Sequence, residues 1–395
     1  MTSSRFFLHF LSLFVMFLII NKVSHVHCKG AVFNVQDFGA IPDGKTDSSR
    51  AFLKAWNQTC QSKVGGTLLI PTGTFLLNTV TFDGPCNGQT FFNINGVLSA
   101  PSGKSNDDFW ILFQHINGLT INGHGSLDGQ GPSAWSLYSD NTKNPPSSIK
   151  FHDMSDALIQ GITSTNSKFF HFQINQSKGI HFQDVDIIAP EDSPNTDGIH
   201  IGNSNDISVK KTEIKTGDDC ISIGPGSSNV YISEVYCGPG HGISIGSLGK
   251  YENEADVNGV IVRNCTIGKT QNGLRIKSWA PSPPSKVFNV TFEDIEVMYA
   301  ENPIIIDQQY CPHSSCSMQG NSEVQISNVK FTNIKGISAS KVGVVLNCSK
   351  SVPCQGIELR GLDLTFNNGQ ESTTATCSNA NMQFYGPQTP ARCTS

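Results

Sequence analysis

The sequence of 395 residues has little charge and almost no helical periodicity. Asp, Glu, Lys and Arg make up only 15% of it and form no long block of one sign, while 37% of the residues are apolar. This composition argues against a disordered chain and against a coiled coil. The formal net charge is −5, and it becomes more negative if the first 28 residues, which contain two basic residues and no acid, are removed. Non-specific binding to nucleic acid is therefore not expected.

Only one long apolar run is present, and it lies at the start of the chain. Residues 6–20 are apolar with two polar interruptions and follow a basic residue, which is the pattern of a secretory signal peptide. A membrane anchor is the alternative, but a span needs about 20 apolar residues and no second run follows. We predict a signal peptide over 1–28, cleaved between Cys28 and Ala31, and one secreted, extracellular β-rich domain over 29–395 that does not bind membranes.

The sequence also lacks the closely spaced Cys/His quartet of a structural zinc site, so its 12 cysteines need another role. An oxidising secretory route makes disulfides their default fate. Eleven cysteines remain without Cys28, and pairing by proximity leaves Cys265 alone in a strand-like run. The predicted disulfides are Cys60–Cys86, Cys220–Cys237, Cys311–Cys316, Cys348–Cys354 and Cys377–Cys393. Five sequons fit a glycosylated product, and they lie at Asn57, Asn175, Asn264, Asn289 and Asn347.

A pentapeptide pattern recurs five times, with starts separated by 22, 22, 31 and 30 residues. Its copies are Asp197-Gly-Ile-His-Ile, Asp219-Cys-Ile-Ser-Ile, His241-Gly-Ile-Ser-Ile, Asn272-Gly-Leu-Arg-Ile and Asn302-Pro-Ile-Ile-Ile. Short alternating runs bounded by Gly, Asn, Ser or Pro lie between the copies. Short strands at a steady period of this length are typical of a solenoid with one coil per repeat. We predict an all-β fold, a right-handed parallel β-helix.

Both ends of such a solenoid need a cover, because the terminal coils would otherwise expose the apolar core. Residues 46–58 place Phe52 and Trp56 at helical spacing after the capping residues Asp47 and Ser48. We predict a short N-terminal capping helix there. The polar tail from about Asn367, which carries two cysteines, is expected to cover the other end.

The register of the repeats predicts which residues are neighbours. Equivalent positions of successive coils stack about 4.8 Å apart, and alternate residues face in and out. With the first residue of each pentapeptide as position zero, the apolar residues at +2 and +4 face the core. The outward columns are then His200, Ser222, Ser244 and Arg275 at +3, and Gly202, Gly224, Gly246 and Lys277 at +5. Position zero lies at a glycine-rich corner, so Asp197, Asp219 and His241 can turn outward, where Asp218 joins them.

Each of these residues has an ordinary explanation by itself, such as an Asx-turn for Asp197. Their convergence on adjacent coils favours a functional site instead. The glycines do not form a phosphate loop, because no Gly-Lys-Ser/Thr follows them. Clustered carboxylates suit glycoside hydrolysis, and crowding raises the pKa of at least one of them. The adjacent Arg275 and Lys277 suit a substrate that carries carboxylates, so we expect an acidic polysaccharide.

Four motifs in this order and spacing resemble the polygalacturonases, family 28 of the glycoside hydrolases. They are Asn195-Thr-Asp197, Gly217-Asp-Asp219, Gly240-His-Gly242 and Arg275-Ile-Lys277. The similarity begins at Phe33, passes through Tyr310, and continues into Pro353-Cys-Gln-Gly, so it covers nearly all of residues 29–395. It implies a right-handed β-helix without a metal or other cofactor. The implied reaction is hydrolysis, with inversion, of α-1,4-galacturonosyl links in pectic polygalacturonate.

The resemblance also implies a role for each matching residue. Asp218 corresponds to the general acid, Asp197 and Asp219 to the carboxylates that hold and activate water, and His241 to the residue that tunes the acid's protonation. The substrate-binding residues implied by the motifs are Arg275, Lys277, Tyr310 and Asn195.

Two features favour an exo-acting enzyme that releases galacturonic acid. Gly202 and Leu248-Gly-Lys250-Tyr251 resemble the plant, pollen-type exo group, and the longer coils place extra residues at 249–258 and 279–286. Loops there could close one end of the groove, although they could equally be tolerated surface insertions. The alternatives are an endo-polygalacturonase, a hydrolase of rhamnogalacturonan or xylogalacturonan, a Ca²⁺-dependent pectate lyase and a non-catalytic pectin-binding wall protein. We expect a monomer.

Overall fold

The structure, a computed structural model, describes residues 30–138, 143–312 and 320–393. The predicted signal peptide lies outside these residues. The described part contains one α-helix, α1 (Ser49–Gln61), and three short 3₁₀ helices at Val35–Phe38, Gly131–Ser133 and Trp135–Tyr138. None of its helices is long and apolar enough to cross a membrane.

The rest of the described chain is dominated by short strands. The first seventeen are β1 (Ala31–Asn34), β2 (Asp43–Asp47), β3 (Gly66–Ile70), β4 (Thr74–Leu76), β5 (Val80–Asp83), β6 (Thr90–Ile94), β7 (Val97–Ser99), β8 (Phe109–Gln114), β9 (Asn117–Gly123), β10 (Ser126–Asp128), β11 (Ser147–His152), β12 (Ser155–Gln160), β13 (Thr163–Thr165), β14 (Phe172–Asn175), β15 (Lys178–Gln183), β16 (Asp186–Ile188) and β17 (Ile199–Gly202). The other seventeen are β18 (Asn205–Lys210), β19 (Glu213–Lys215), β20 (Ile221–Ile223), β21 (Ser228–Ser233), β22 (Tyr236–Cys237), β23 (Ile243–Leu248), β24 (Val257–Gly268), β25 (Asn272–Trp279), β26 (Ser285–Ala300), β27 (Asn302–Tyr310), β28 (Val324–Ser338), β29 (Val342–Asn347), β30 (Cys354–Arg360), β31 (Asp363–Phe366), β32 (Glu371–Ser372), β33 (Thr374–Ser378) and β34 (Ala380–Tyr385).

The strands wind into a solenoid with two sheets. Eleven parallel strands form one sheet, which we call the site sheet, in the order β5, β8, β11, β14, β17, β20, β23, β25, β27, β29 and β33. The other strands form a 23-stranded sheet, parallel except for the pair β31–β32. Strand order in the site sheet follows chain order, because each coil adds one strand beside the last. The predicted right-handed parallel β-helix is confirmed.

The pairing register agrees with the predicted repeat. Ile199 lies opposite Ile221, which lies opposite Ile243, and the ladder continues through Leu274 to Ile304. These five side chains are fully buried. An irregularity follows Ile245, so the predicted +5 column is interrupted before Lys277. The +3 column is continuous and carries the residues that matter for the site.

The N-terminal cap is an amphipathic helix, as predicted, but α1 begins at Ser49 and ends at Gln61, three residues later than expected. The reason is that the chain up to Asp47 is extended in β2 and pairs with β4. Asp47 Oδ1 accepts the backbone N–H of Ser49 at the start of the helix. Phe52 and Trp56 then pack on Phe75 and on an adjacent aromatic cluster, which covers the first coils.

The C-terminal tail does more than cover the end. It adds two further parallel strands, since β33 pairs with β29 and β34 pairs with β30. The solenoid thus continues to residue 385.

Four of the predicted disulfides are present, namely Cys60–Cys86, Cys220–Cys237, Cys348–Cys354 and Cys377–Cys393. Cys265 is free and buried, as predicted. The predicted pair Cys311–Cys316 cannot be followed, because Cys316 lies outside the described residues.

Candidate active site

The candidate residues lie along the side of the site sheet that is formed by the N-terminal ends of its strands. Asp197 lies two residues before β17, Asp218 and Asp219 lie three and two residues before β20, and His241 lies two residues before β23. Arg275 and Lys277 lie one strand farther along, in β25. The predicted convergence of chain-distant residues is therefore present.

Glycine makes the corner at His241 possible. Gly240 and Gly242 have φ angles of 141° and 89°, and a Cβ at Gly242 would lie 2.0 Å from the carbonyl oxygen of Asn272. No other residue fits there, because the next coil passes too close. The chain can then turn so that His241 faces the aspartates of the preceding coil.

Asp219 is the most tightly bound of the three carboxylates. Its Oδ1 accepts hydrogen bonds from Ser244 Oγ at 2.7 Å and from Arg275 Nη2 at 2.6 Å, and its Oδ2 accepts one from Lys277 Nζ at 2.8 Å. All four side chains are buried. Burial by itself would raise the pKa of Asp219, but Arg275 and Lys277 outweigh it and hold the pKa at about 2. Asp219 is thus an ionised carboxylate.

Asp197 has the opposite surroundings. Its Oδ2 accepts a hydrogen bond from Ser222 Oγ at 2.6 Å, and it forms no ion pair with any described Lys or Arg. Burial raises its pKa well above the usual range, and the negative charges of Asp218 and Asp219 raise it further. Asp197 therefore retains a proton to higher pH than an exposed aspartate would.

A histidine extends this contact. His200 Nδ1 lies 2.8 Å from Ser222 Oγ, and its ring stacks on Phe170 with centroids 4.6 Å apart. Burial lowers the pKa of His200 to about 4, so the imidazole is neutral at mildly acidic pH. Because Ser222 donates to Asp197, it accepts from the His200 ring, and the three side chains form one hydrogen-bonded row.

Asp218 is the carboxylate that solvent reaches. About 20% of its side chain is exposed, and its Oδ1 lies 2.8 Å from His241 Nδ1 and accepts the backbone N–H of Asp219 at 2.8 Å. The backbone N–H of His241 also donates to the carbonyl of Asp218 at 2.7 Å. Two contacts therefore hold Asp218 against His241 and leave its second oxygen available.

The two remaining predicted residues differ in how closely they approach this cluster. The ring centroid of Tyr310 lies 5.0 Å from Lys277 Nζ and 6.0 Å from the guanidinium of Arg275. Asn195 lies two residues before Asp197 on an exposed turn with a φ of 49°. Tyr310 is therefore part of the site wall, and Asn195 lies at its rim.

Sequence reasoning assigned no role to Ser222, Ser244, His200 or Trp279. The first three stand in the predicted +3 column, which passes beside position zero of the preceding coil, so the register contained the signal. Trp279 packs edge-on against Tyr310 at 5.6 Å, and no repeat position predicts this contact.

The cluster fits a metal ion poorly. Asp218, Asp219 and His241 present ligand atoms within 4.8 Å of one another. Both oxygens of Asp219, however, are already bound by Ser244, Arg275 and Lys277. A cation would have to displace two positive charges from a buried carboxylate.

Residues 60–391 match the sequence family described as glycosyl hydrolases family 28. The chain belongs to this family. A relative from Platanus acerifolia named exopolygalacturonase is 45% identical over 93% of this chain and 98% of its own. This membership confirms the predicted family and the predicted glycosidase class.

Two solved structures share the fold. An exopolygalacturonase from Thermotoga maritima has a TM-score of 0.73 with 19% identity over 90% of each chain. An endo-xylogalacturonan hydrolase from Aspergillus tubingensis has a TM-score of 0.77 with 24% identity, over 91% of this glycosyl hydrolase and all of its own chain. At these identities the likeness supports the β-helix fold alone.

Proposed function

We propose that this protein is a secreted polygalacturonase that hydrolyses α-1,4-galacturonosyl links and removes galacturonic acid from the end of the chain. Family membership supports the reaction class, and the name of the Platanus relative, exopolygalacturonase, supports the substrate and the exo mode. The observation that carries the proposal is that three adjacent aspartates differ in exposure, in hydrogen-bond partners and in pKa. One is partly exposed and paired with a histidine, one is ionised, and one is buried with a raised pKa.

These differences assign each aspartate a step. Asp218, the accessible one, donates its proton to the glycosidic oxygen as the bond to the anomeric carbon breaks. Asp219 orients the attacking water, since a group with a pKa of about 2 is a weak base. Asp197 takes the proton from that water, because its raised pKa makes its ionised form the stronger base. His241 holds Asp218 through the hydrogen bond to Oδ1.

Arg275 and Lys277 are the proposed binding groups for galacturonate carboxylates. Each also contacts Asp219, but each retains further N–H donors, since Arg has five and Lys has three. Tyr310 lies beside both cations and offers a ring face to the sugar. The same two residues can therefore hold Asp219 in place and attract an acidic sugar unit.

The exo mode is supported by two loops beside this wall. In residues 249–258, the carboxylate of Glu254 accepts three successive backbone N–H groups, those of Gly249, Lys250 and Tyr251, at 2.6–3.0 Å. The second loop, residues 279–286, bonds to the first through Lys286 N–H and Asp256 Oδ1 at 2.8 Å. These contacts favour an ordered wall at the C-terminal side of the groove, which would leave room for a chain end.

The decisive test replaces the proposed acid. Asp218→Asn keeps the size of the side chain and removes the proton donor, so we expect kcat on de-esterified polygalacturonate to fall by at least about 100-fold. Thermal unfolding should be nearly unchanged, because the side chain is partly exposed. Asp186→Asn, an exposed aspartate on β16, is the matched control and should retain activity. Near wild-type rates in a folded Asp218→Asn protein would refute the assignment.

The stereochemistry needs a separate measurement. We propose inversion on the family resemblance, with β-galacturonate as the first product. Proton NMR of the early product distinguishes the two anomers, and initial α-anomer would show retention.

A further inference from the structure

A cavity lies on the same side of the solenoid, nearer the N-terminus. Its volume is about 370 Å³, and its lining includes Pro101, Phe109, Trp110, Ser148 and Lys168. Phe109 and Trp110 open β8, and Ser148 is the second residue of β11. The cavity is therefore formed where site-sheet strands begin, as the carboxylate cluster is.

The register gives its distance from that cluster. β8, β11, β14 and β17 are successive neighbours in the site sheet, so β8 lies three strand spacings, about 14 Å, from the strand that follows Asp197. Phe172 of β14 pairs directly with Ile199 of β17. Lys168 lies four residues before Phe172, and Asn195 lies four residues before Ile199. Lys168 is thus one coil from the rim of the proposed active site.

Lys168 is unusual among the lysines because it is buried without an acidic partner. Only 4% of it is exposed, and its Nζ donates to the carbonyl oxygen of Pro101 at 2.5 Å. No carboxylate among the described residues forms an ion pair with it, and burial lowers its pKa. A buried ammonium normally has a counter-ion and more than one acceptor.

We infer that this cavity is a second binding site for the acidic polysaccharide, in which Lys168 pairs with the carboxylate of a galacturonate unit away from the scissile bond. The inference rests on the proposed function for the identity of the sugar. An anion would supply the missing counter-ion. The Ser148 hydroxyl, which donates to Ser167 Oγ at 2.8 Å, can accept a hydrogen bond from a sugar hydroxyl, and Phe109 offers an apolar surface to a ring. The loops at 249–258 and 279–286 lie on the other side of the cluster, so a polymer whose end is held there would extend towards Lys168.

Kinetics with substrates of two lengths test the site. Lys168→Gln keeps a donor for Pro101 and removes the charge, and Lys168→Met removes both. In either variant we expect the fold-increase in KM for polygalacturonate to be at least five times the fold-increase in KM for digalacturonate. The reason is that the dimer is too short to reach both sites. Lys178→Met, an exposed lysine on β15, is the control. Equal effects of Lys168→Gln on both substrates, or none on either, would overturn the inference.

Direct binding separates this inference from the proposed function. Calorimetry would measure hexagalacturonate and its methyl ester binding to Asp218→Asn protein with and without Lys168→Gln. If the double variant binds hexagalacturonate more weakly than the Asp218→Asn protein does, while the binding of the methyl ester is unchanged, the site is supported. This holds even if the wild-type protein proves unable to hydrolyse polygalacturonate. Identical binding in the two proteins refutes the site, even if hydrolysis is confirmed. Thermal unfolding of the Lys168 variants should be no lower than wild type, because a desolvated charge has been removed.

Discussion

Three aspartates of one short stretch of solenoid differ because different side chains touch them. Asp219 accepts hydrogen bonds from two cationic side chains. Asp197 accepts one from a serine that also contacts a neutral histidine, and Asp218 contacts an imidazole and solvent. Carboxyl groups with the same intrinsic pKa are thereby separated into groups that can serve as different participants in one hydrolysis. The separation depends on the +3 column, whose two serines each bond to an aspartate of the preceding coil.

The ion pairs of Asp219 also affect stability. Because the folded pKa of about 2 is below the value of about 3.9 typical of an unfolded chain, the contribution is present above pH 4. It is lost as pH falls through 2. Mildly acidic conditions therefore leave this part of the site intact.

Ser222→Ala tests the row that ends at Asp197. The hydroxyl stabilises ionised Asp197, so its loss should raise the pKa of Asp197 further. If ionised Asp197 accepts the proton of water, the acid limb of the profile of kcat/KM against pH should move to higher pH and kcat should fall several-fold. The control is Ser208→Ala, which removes a serine in the same 2.8 Å contact with a histidine, His181, far from the site. An unshifted acid limb would exclude Asp197 as the base.

At the scale of the element, the corner before β23 shows how a strand start becomes a site. Gly242→Ala would place a Cβ 2.0 Å from the carbonyl oxygen of Asn272 at a φ of 89°. We expect a loss of about 1–3 kcal/mol in unfolding free energy, together with lower kcat because His241 moves. Gly103→Ala separates the two causes, since Gly103 has a φ of 83° but open space around it. Similar urea denaturation curves for the two variants would show that the clash is unimportant.

The loop at 249–258 is the second element that carries a prediction. Glu254→Ala removes the acceptor of three backbone N–H groups and should loosen the proposed wall. We expect products to change from galacturonic acid alone towards mixed oligomers, with faster loss of viscosity. Glu252→Ala, in the same loop and exposed, should leave the products unchanged. Mixed oligomers from the wild-type protein itself would show an endo enzyme.

For the whole molecule, the ion pairs around Asp219 predict that no metal is needed. Dialysis against a chelator should leave hydrolysis of polygalacturonate unchanged, because Arg275 and Lys277 already occupy the carboxylate that a cation would require. The release of reducing ends measures this directly. Activity lost with chelator and restored by Ca²⁺, with an ultraviolet-absorbing unsaturated product, would indicate a lyase.

Much of the molecule follows from the sequence because a solenoid makes long-range contacts simple. Each coil touches only its neighbours, so an alignment of repeats is also a list of contacts. The spacing of the pentapeptides was therefore enough to place Ile199 opposite Ile221 and to bring Asp197, Asp219 and Arg275 together. The four disulfides among described cysteines and the unpaired Cys265 were predicted for the same reason, since covalent partners lie within one coil or in the next.

What the repeat does not contain had to come from the tertiary structure. The late start of α1 depends on the pairing of β2 with β4, and the extra coil in the tail depends on the pairing of β33 with β29. The pairing of both cations with Asp219, and the burial of Lys168 beside Pro101, likewise have no counterpart in the repeat. Repeating positions fix where backbones lie, but desolvation and ion pairing depend on side chains and loops that differ in every coil. Charge states are therefore decided only when those loops pack.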